Sequence, residues 1–366
     1  MHGNLAPALP AIREQIEASD NGRISFADFM ETSLYHPDEG YYTNRVAIGA
    51  GRDFHTWSDH PVFGACVADA VIKEWHLQDR PREFTVLEMG AGTGALARTI
   101  LAHITNRAPQ LRDTLRYRIA EISPHLMSQQ QRTLGRDMGV EWLPGSATDL
   151  PLERGEIQGI AFSNELVDAF PVHRVVRKIG GLCERFVTID ENDTLTTIDA
   201  PLSEEVHDLP ELRHTVLGFE KVVSPGSKAW MQTMGHVLAE GSKLITIDYG
   251  SLDYRQRLHR SPVRTYGELA VQWRPAGVTP AVKLSEEGPV EIALKHPGLV
   301  DITYDVNFGA LQEHGRVNGL RTEAYDSQAV FLLRHDLLQH AEEYGMKDLR
   351  SFDSRHFRVL QQRQVA

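Results

Sequence analysis

The sequence predicts an α/β fold: a mostly parallel sheet with helices on both faces. Two observations carry this. From residue 84 onward, short apolar runs of strand length alternate with longer helical patterns, the arrangement that builds parallel sheets from strand–helix–strand units. The first strand–helix junction, TVLEMGAGTGALARTI at 85–100, carries three glycines and so has bare backbone where open parallel sheets receive ligands.

In chain order, residues 1–80 hold short helical patterns broken by turn formers. ISFADFMETSLYH (24–36) and PVFGACVADAVIKEWHL (61–77) are the two clearest. FTVLEMG is a buried strand and TGALARTILAHITNRA a helix with Leu96, Ile100, Leu101 and Ile104 on one side. LRYRIAEI is a strand, and SPHLMSQQQRTLGRDM begins with the Ser-Pro of a helix start. VEWLPG and GIAFSNEL are strands, AWMQTMGHVLAEGS is a helix ending near Gly241, and KLITIDYG is a strand. Between 172 and 225 the alternation lapses. There VHRVVRKIGGLCERFVTIDENDTLTTID reads as antiparallel strands turning at Gly180-Gly181 and at Glu191-Asn192-Asp193, an insertion in the alternating core. After 250 come an arginine-rich stretch, a helix (FGALQEHGRVNG), a strand (LRTEAY), one long helix (SQAVFLLRHDLLQHAEEYG) and a last strand (HFRVLQQ). The organisation expected is a helical N-terminal segment, 1–80, followed by a core, 81–366, that carries the insertion.

Composition narrows the function. The chain has 366 residues and a formal net charge of −12, which argues against a phosphate-backbone binder and suits a cationic substrate or partner. No apolar run reaches the roughly 18 residues of a membrane span. The N-terminus lacks a basic start with an apolar block, and Cys66 and Cys183 are the only cysteines. These points favour the cytoplasm. No His/Cys/Asp/Glu group has metal-ligand spacing, so no metal is expected.

The string Gly90-Ala91-Gly92-Thr93-Gly94-Ala95 satisfies both a dinucleotide pattern and the G-x-G-x-G loop of S-adenosylmethionine enzymes. Its surroundings discriminate. Glu88, just before the loop, suits a positively charged methionine end better than an anionic pyrophosphate. Glu121 ends the next strand, 33 residues after Glu88, beyond the roughly 20 of a tight dinucleotide unit, and can accept from both hydroxyls of a ribose. Ala147, Thr148 and Asp149 follow the third strand, beside where an adenine would lie. The fourth strand ends in SNELVDAFP, where Asn164, Glu165 and Asp168 crowd the carboxyl edge of the sheet. Such groups hold an acceptor nucleophile against the methyl, or cap a helix start. Asp248-Tyr249-Gly250 adds polar groups to the same edge.

These motifs resemble the MidA-like family of S-adenosylmethionine-dependent methyltransferases, relatives of a mitochondrial arginine methyltransferase that assists complex I assembly. The resemblance is collinear from about residue 24 through ISFADFMETSLYHPDEGYYT, GRDFHTWSDHPVFG, LEMGAGTGALA, AEISPHLMSQQ, SNELVDAFPVHR, TIDYG and DITYDVNFGAL. NELVDAFP and GYY are far more specific than the glycine loop. The resemblance implies a class I methyltransferase fold, Rossmann-like, with a mostly parallel seven-stranded sheet, a helical N-terminal cap and an inserted antiparallel substrate region. It implies S-adenosylmethionine as cofactor and a protein arginine as acceptor. Gly90, Ala91, Gly92, Gly94, Glu88, Glu121 and Ala147 would hold the cofactor together with Asn164, with Asp53 and Thr56 helping from the cap. Asn164, Glu165 and Asp168 would face the acceptor. Thr56-Trp57-Ser58-Asp59 and Arg52 depart from the family pattern. A small-molecule O- or N-methyltransferase and a non-catalytic cofactor-binding assembly factor are therefore kept as alternatives. For a hydroxyl acceptor one of the carboxylates or a histidine such as His173 would serve as base, and His55 and His60 would line the cap.

Overall fold

Six consecutive buried residues, Phe84–Met89, form the central strand β1. Its neighbours are β2 (Leu115–Glu121) and β4 (Gly159–Asn164), both parallel to it. Outward from β2 lies β3 (Val140–Pro144), and outward from β4 lies β5 (Lys243–Ser251), again parallel. The short β6 (Val306–Asn307) also pairs in parallel with β5. β7 (Leu320–Ser327) and β8 (Phe357–Gln364) complete the sheet. The strand order is β7-β8-β5-β4-β1-β2-β3, and β8 runs antiparallel to both of its neighbours. The sheet is therefore mixed and, among the described residues, has eight strands. The chain winds outward from β1 in one direction and then, with β4, in the other. The crevice beyond the carboxyl ends of β1 and β4 is thus a topological switch point, where such sheets bind ligands.

The computed structural model describes residues 6–45, 60–136, 138–207, 209, 211–212, 215–252, 262–266, 288–349 and 356–365. The large sheet belongs to a compact unit formed by residues 55–168, 227–253 and 306–366. Helices α1 (Pro61–Leu77) and α2 (Ala95–Arg107) bury Val62, Phe63, Cys66, Val67, Leu96, Ile100 and Leu101 in one cluster with Phe84 and Val86 of β1. Alternation along β1 turns Leu87 and Met89 to the other face. There Trp230 of α4 (Pro225–Val237), fully buried, donates its indole N–H to Met89 Sδ at 3.3 Å. Between them in sequence is α3 (Pro124–Leu134), whose Ser123 cap accepts from the Leu126 N–H. The C-terminal helices are α5 (Phe308–Val317), α6 (Gln328–Leu333) and α7 (Leu337–Glu343).

Residues 1–54, 169–226 and 254–305 make the second compact unit. Its antiparallel sheet joins 23–25, 181–189, 173–178 and 220–223 in that order, with 195–200 paired to 181–189. Helix Phe26–Tyr35 starts with a full capping box, Ser25 and Asp28 bonding each other's backbone N–H. Tyr35 Oη donates to the Ala169 carbonyl at 2.9 Å.

Several elements depart from the sequence reading for identifiable reasons. Helix α1 packs with the large sheet, so the helical segment expected over 1–80 is shared between the two units. Ile24 is not helical but pairs with Val187 as a strand residue. Helix α4 stops at Val237 because Leu238 and Ala239 bridge to Ile157 instead. The long helix expected over 327–345 is two, separated at Asp336, whose φ of 57° is left-handed.

Gly159 opens β4 with φ of 141°, and a Cβ there would lie 2.4 Å from the Thr85 carbonyl oxygen of β1. Backbone cannot swing aside as a side chain can. Gly159→Ala is expected to lower the unfolding free energy by about 2–4 kcal/mol, read as a lower urea midpoint at unchanged slope. A midpoint equal to wild type would show that β4 and β1 can part without cost.

Candidate functional site

The site grows from the loop between β1 and α2. Gly90, Gly92 and Gly94 all adopt positive φ, at 69°, 52° and 80°. Side chains are disfavoured in that region. A Cβ on Gly94 would stand 3.2 Å from Gln130 Cα, and one on Gly90 would stand 3.0 Å from Leu166 Cδ1. The loop is thus hemmed in by α3 on one side and by the turn after β4 on the other. Gly90 N–H donates to Ala120 O at 3.0 Å, fixing where the loop leaves the sheet. Gly94 is the N-cap of α2 and offers no side-chain acceptor; the Ala95 N–H is met by Thr93 Oγ1 at 3.4 Å, and a helix start of this kind suits a polar ligand. Ala91 is buried within the loop.

Two carboxyl groups flank the loop. Glu88, on β1, accepts from the Tyr117 hydroxyl at 2.6 Å. Burial pushes its pKa up to about 7, against the pull of that bond, and the nearby Glu121 charge adds to the rise. Glu121, at the end of β2, accepts from the Ser123 N–H at 2.9 Å and from the Gln130 amide at 2.7 Å. Burial pushes it also up to about 7 despite those donors. With the Ile122 N–H a third donor, the Glu121 carboxyl still keeps acceptor capacity, the chemistry needed to meet a ribose hydroxyl.

Gln130 is the residue the sequence reading passed over. Its amide nitrogen donates to Gly92 O at 3.0 Å as well as to Glu121, and its oxygen accepts from the Trp142 indole at 3.1 Å. The signal was present: Leu126, Gln130 and Leu134 are the buried residues of α3, so a glutamine sits inside an apolar stripe. After β3, Ala147 is buried in a turn closed by Asp149 N–H to Ser146 O, and Thr233 of α4 donates to Thr148 O at 2.6 Å.

The second cluster lies at the ends of β4 and β5. Asn164 pairs in register with Ile247, and the Glu165 N–H continues the ladder to Ile247 O at 2.9 Å. Glu165 then takes φ of 51°, a conformation unfavourable for a side chain and most often found where a site demands it. Asn164 donates its amide to Glu165 Oε1 at 3.2 Å. Val167–Ala169 form a single tight turn, and its free N–H groups are met by Asp248 at the end of β5. Asp248 Oδ2 accepts from Val167 N at 3.1 Å and Asp168 N at 3.3 Å, while Oδ1 accepts from its own neighbour Tyr249 N at 2.8 Å. The capping role considered for Asn164 or Asp168 thus falls to Asp248. It is fully buried, and burial together with the Asp168 and Glu165 charges holds its pKa well above the usual carboxylate range. Asp168 is buried too, whereas Asn164 and Glu165 are half exposed.

The structure therefore gathers Glu88, Gly90, Ala91, Gly92, Gly94 and Glu121 into one cluster, and Asn164, Glu165, Asp168 and Asp248 into another, with Leu166 touching the loop between them. Asp53, Thr56 and His55 lie outside the described residues. His60 is the N-cap of α1, its Nδ1 accepting from Val62 N at 3.2 Å. His173 is buried, with Nδ1 on Glu184 at 2.7 Å and Nε2 on Glu205 at 2.9 Å, so neither ring nitrogen is available as a base.

Residues 66–325 match the model of a family described as "Putative S-adenosyl-L-methionine-dependent methyltransferase". The mitochondrial protein arginine methyltransferase NDUFAF7 homolog of Drosophila melanogaster is 24% identical, over 96% of this chain and 80% of its own length. Human NDUFAF7, named a mitochondrial protein arginine methyltransferase, is 25% identical over 67% of this chain and 60% of its own length. A Burkholderia thailandensis protein crystallised with S-adenosyl-homocysteine bound is 27% identical with a TM-score of 0.78, covering 98% of this chain and 92% of that one.

The raised carboxyl groups make stability depend on pH in a definite sense. Folded Glu88 keeps its proton up to about pH 7, while in the unfolded chain it is lost near the ordinary carboxyl value of about 4.3. Its stabilising contribution is complete below that lower value and disappears as pH rises through about 7. Glu88→Gln removes this dependence and retains an acceptor for Tyr117. Unfolding free energies measured by urea from about pH 5 to 8 are expected to fall more steeply for wild type than for the variant. Parallel curves would mean that Glu88 is already ionised in the folded chain.

Proposed function

We propose, from the premise that the chain belongs to this family of S-adenosyl-L-methionine-dependent methyltransferases, that it moves a methyl group from S-adenosylmethionine to an arginine side chain of a protein. The observation that carries the acceptor class is the gathering of three carboxyl groups, Glu165, Asp168 and Asp248, at the carboxyl ends of β4 and β5. Burial, and after it the charges of Asp168 and Glu165, raise the pKa of Asp248, and a cation brought among them relieves that repulsion. A guanidinium meets that need and offers N–H groups in a fork that matches carboxylates.

The residues of the site fit the cofactor. The glycine loop has backbone room that side chains would fill, and it leads into the N-terminus of α2, where polar ligands are favoured. Glu121 is held by Ser123 and Gln130 as an acceptor for ribose hydroxyls, and Glu88 offers a carboxylate to the ammonium of the methionine end. Ala147 offers an apolar surface for the adenine, and Asp53 and Thr56 are assigned to the same ligand. Bound S-adenosylmethionine supplies an already activated methyl group, so the protein's task is alignment. Asn164 steers Glu165 through their hydrogen bond and lends its carbonyl to the acceptor. Glu165 and Asp168 grip the guanidinium and hold the reacting nitrogen in line, and one of them takes the proton that leaves it. Asp248 keeps the turn that carries both in place.

On this reading the seven strands β7-β8-β5-β4-β1-β2-β3 of the large sheet are the class I methyltransferase core, with β6 an addition at the end of β5. The N-terminal helices and the inserted antiparallel strands serve as cap and substrate region. The net charge of −12 suits a basic protein substrate and not a nucleic acid. Cys66 and Cys183 are unbridged, in keeping with the cytoplasm in which we place the enzyme.

S-adenosylmethionine and its demethylated product are expected to raise the melting temperature while NAD leaves it unchanged. A hundredfold excess over Kd adds about 2.7 kcal/mol. Gly92→Val, at a φ of 52°, is expected to abolish the shift in a chain that keeps its circular dichroism. A shift with NAD alone, or an unaltered shift in the variant, would move the ligand away from this loop.

The acceptor assignment makes a separate prediction. Glu165→Gln and Asp168→Asn are expected to leave cofactor affinity unchanged and to slow methyl transfer in a single turnover. Loss of a charge-assisted hydrogen bond costs about 1.5–3 kcal/mol, roughly a ten- to hundredfold slowing. Radiolabelled S-adenosylmethionine supplies the readout, label entering a protein band of the host lysate rather than a small molecule. Wild-type rates in both variants would remove these carboxylates from the acceptor site.

A further inference from the structure

Three helices of the large unit bring together a set of groups that the methyl-transfer site does not use. Asp69 lies on α1, His103 on α2 and His340 on α7. His103 Nε2 stands 2.8 Å from Asp69 Oδ1, and His340 Nε2 stands 2.5 Å from Asp69 Oδ2. The potential ligand atoms all lie within 4.8 Å of one another. Both imidazoles are almost wholly buried, at 5% and 2% side-chain exposure, while Asp69 keeps 21% and with it access to solvent. The rings meet edge to face with centroids 5.1 Å apart.

We propose that Asp69, His103 and His340 bind one divalent transition-metal ion of the zinc class. The donor set is two imidazole nitrogens and one carboxylate, with the solvent-facing side left for water. This composition is typical of zinc centres with three protein ligands. The proposal stands apart from the methyltransferase reading and uses none of its residues. Sequence spacing concealed it, because the three residues lie far apart in the chain and meet only through helix packing.

The arrangement of protons favours the metal over a plain hydrogen-bonded relay. A neutral imidazole carries one N–H. Without a metal, each Nε2 faces a carboxylate oxygen and must hold the hydrogen there. His340 Nδ1 would then be a buried lone pair, yet what it faces is Glu343 Oε2 at 3.5 Å, another acceptor. Glu343 is fixed in place by Arg107 and by the Gln339 amide. A metal on Nε2 resolves the mismatch. The His340 hydrogen moves to Nδ1 and points to Glu343, giving the carboxylate–histidine–metal order that orients such ligands. A ring that starts neutral only relocates its proton; a ring that starts as imidazolium releases one.

An ion there would staple α7, a seven-residue helix, to α1 and α2. The test uses the full-length chain without an affinity tag, stripped by a chelator and dialysed. Zinc chloride is titrated by calorimetry, and melting is followed with and without one equivalent. Cobalt(II) is added separately and its visible spectrum recorded. The expected result is one equivalent of zinc bound, a higher melting temperature, and the intense visible bands of low-coordinate cobalt. His340→Gln and Asp69→Asn should each weaken zinc binding by about a hundredfold or more, while His76→Gln, an exposed histidine elsewhere on α1, should not. Should the ligand variants fail to fold, the cobalt spectrum of the wild-type chain still decides. Absence of stoichiometric zinc uptake, a weak octahedral cobalt spectrum, or wild-type affinity in a folded His103→Gln/His340→Gln chain would each overturn the site.

Discussion

One buried amide group fixes the geometry of the candidate cofactor site. Gln130 gives its nitrogen to the Gly92 carbonyl and the Glu121 carboxyl, and takes the Trp142 indole on its oxygen. Three strand ends, those of β1, β2 and β3, are thereby measured against a single planar group. Each of these partners is buried or half-buried, so each would lose its bond without replacement if the amide were removed. A buried polar group left unmet costs about 1–3 kcal/mol. The glycine loop owes its shape to backbone freedom, but its position relative to Glu121 comes from this side chain. Helix α3 therefore acts as the ruler of the site.

The second cluster shows the opposite economy. Asp248 is buried among other acids and is kept there by three backbone N–H groups, which suit a carboxylate, while Glu165 and Asp168 disfavour its charge. Glu165 adds a left-handed backbone to the same few residues. Unfavourable charge and unfavourable φ in one turn mark a place where packing alone would not have chosen these residues. A cationic acceptor turns the accumulated negative charge into attraction, which is why the arginine reading accounts for the cluster more fully than a neutral hydroxyl does.

The sequence was most informative where periodicity and position coincide. β1, β4 and β5 announced themselves as mostly apolar runs with Glu88, Asn164 and Asp248 toward their carboxyl ends, because parallel strands covered on both faces are largely apolar; β2, with Arg116 and Arg118 in its interior, showed itself by its place in the alternation and ends in Glu121. The antiparallel hairpins after 172 were readable from their turns at Gly180-Gly181 and at 190–194. What escaped was whatever depends on tertiary partners. Ile24 looked helical by spacing, yet a strand partner at Val187 claimed it. The break at Asp336 leaves no glycine or proline to signal it. Gln130 read as one of three consecutive glutamines, and only folding shows which of them turns inward. His173 looked like a base until Glu184 and Glu205 took both its nitrogens.

The placement of β8 bears on how the chain reaches this state during synthesis. Of the described strands it is the last made, and it pairs on one side with β5 and on the other with β7. β5 leaves the ribosome about a hundred residues earlier, which at about 5–20 residues per second is a wait of roughly 5–20 s. Throughout that interval β5 presents an unpaired edge over Lys243–Tyr249, most of it buried in the finished sheet. Open edges of that kind pair with whatever strand is nearest. A nascent chain of this design is exposed to mispairing until its final segment arrives, and its yield in a cell depends on what shields β5 in the meantime.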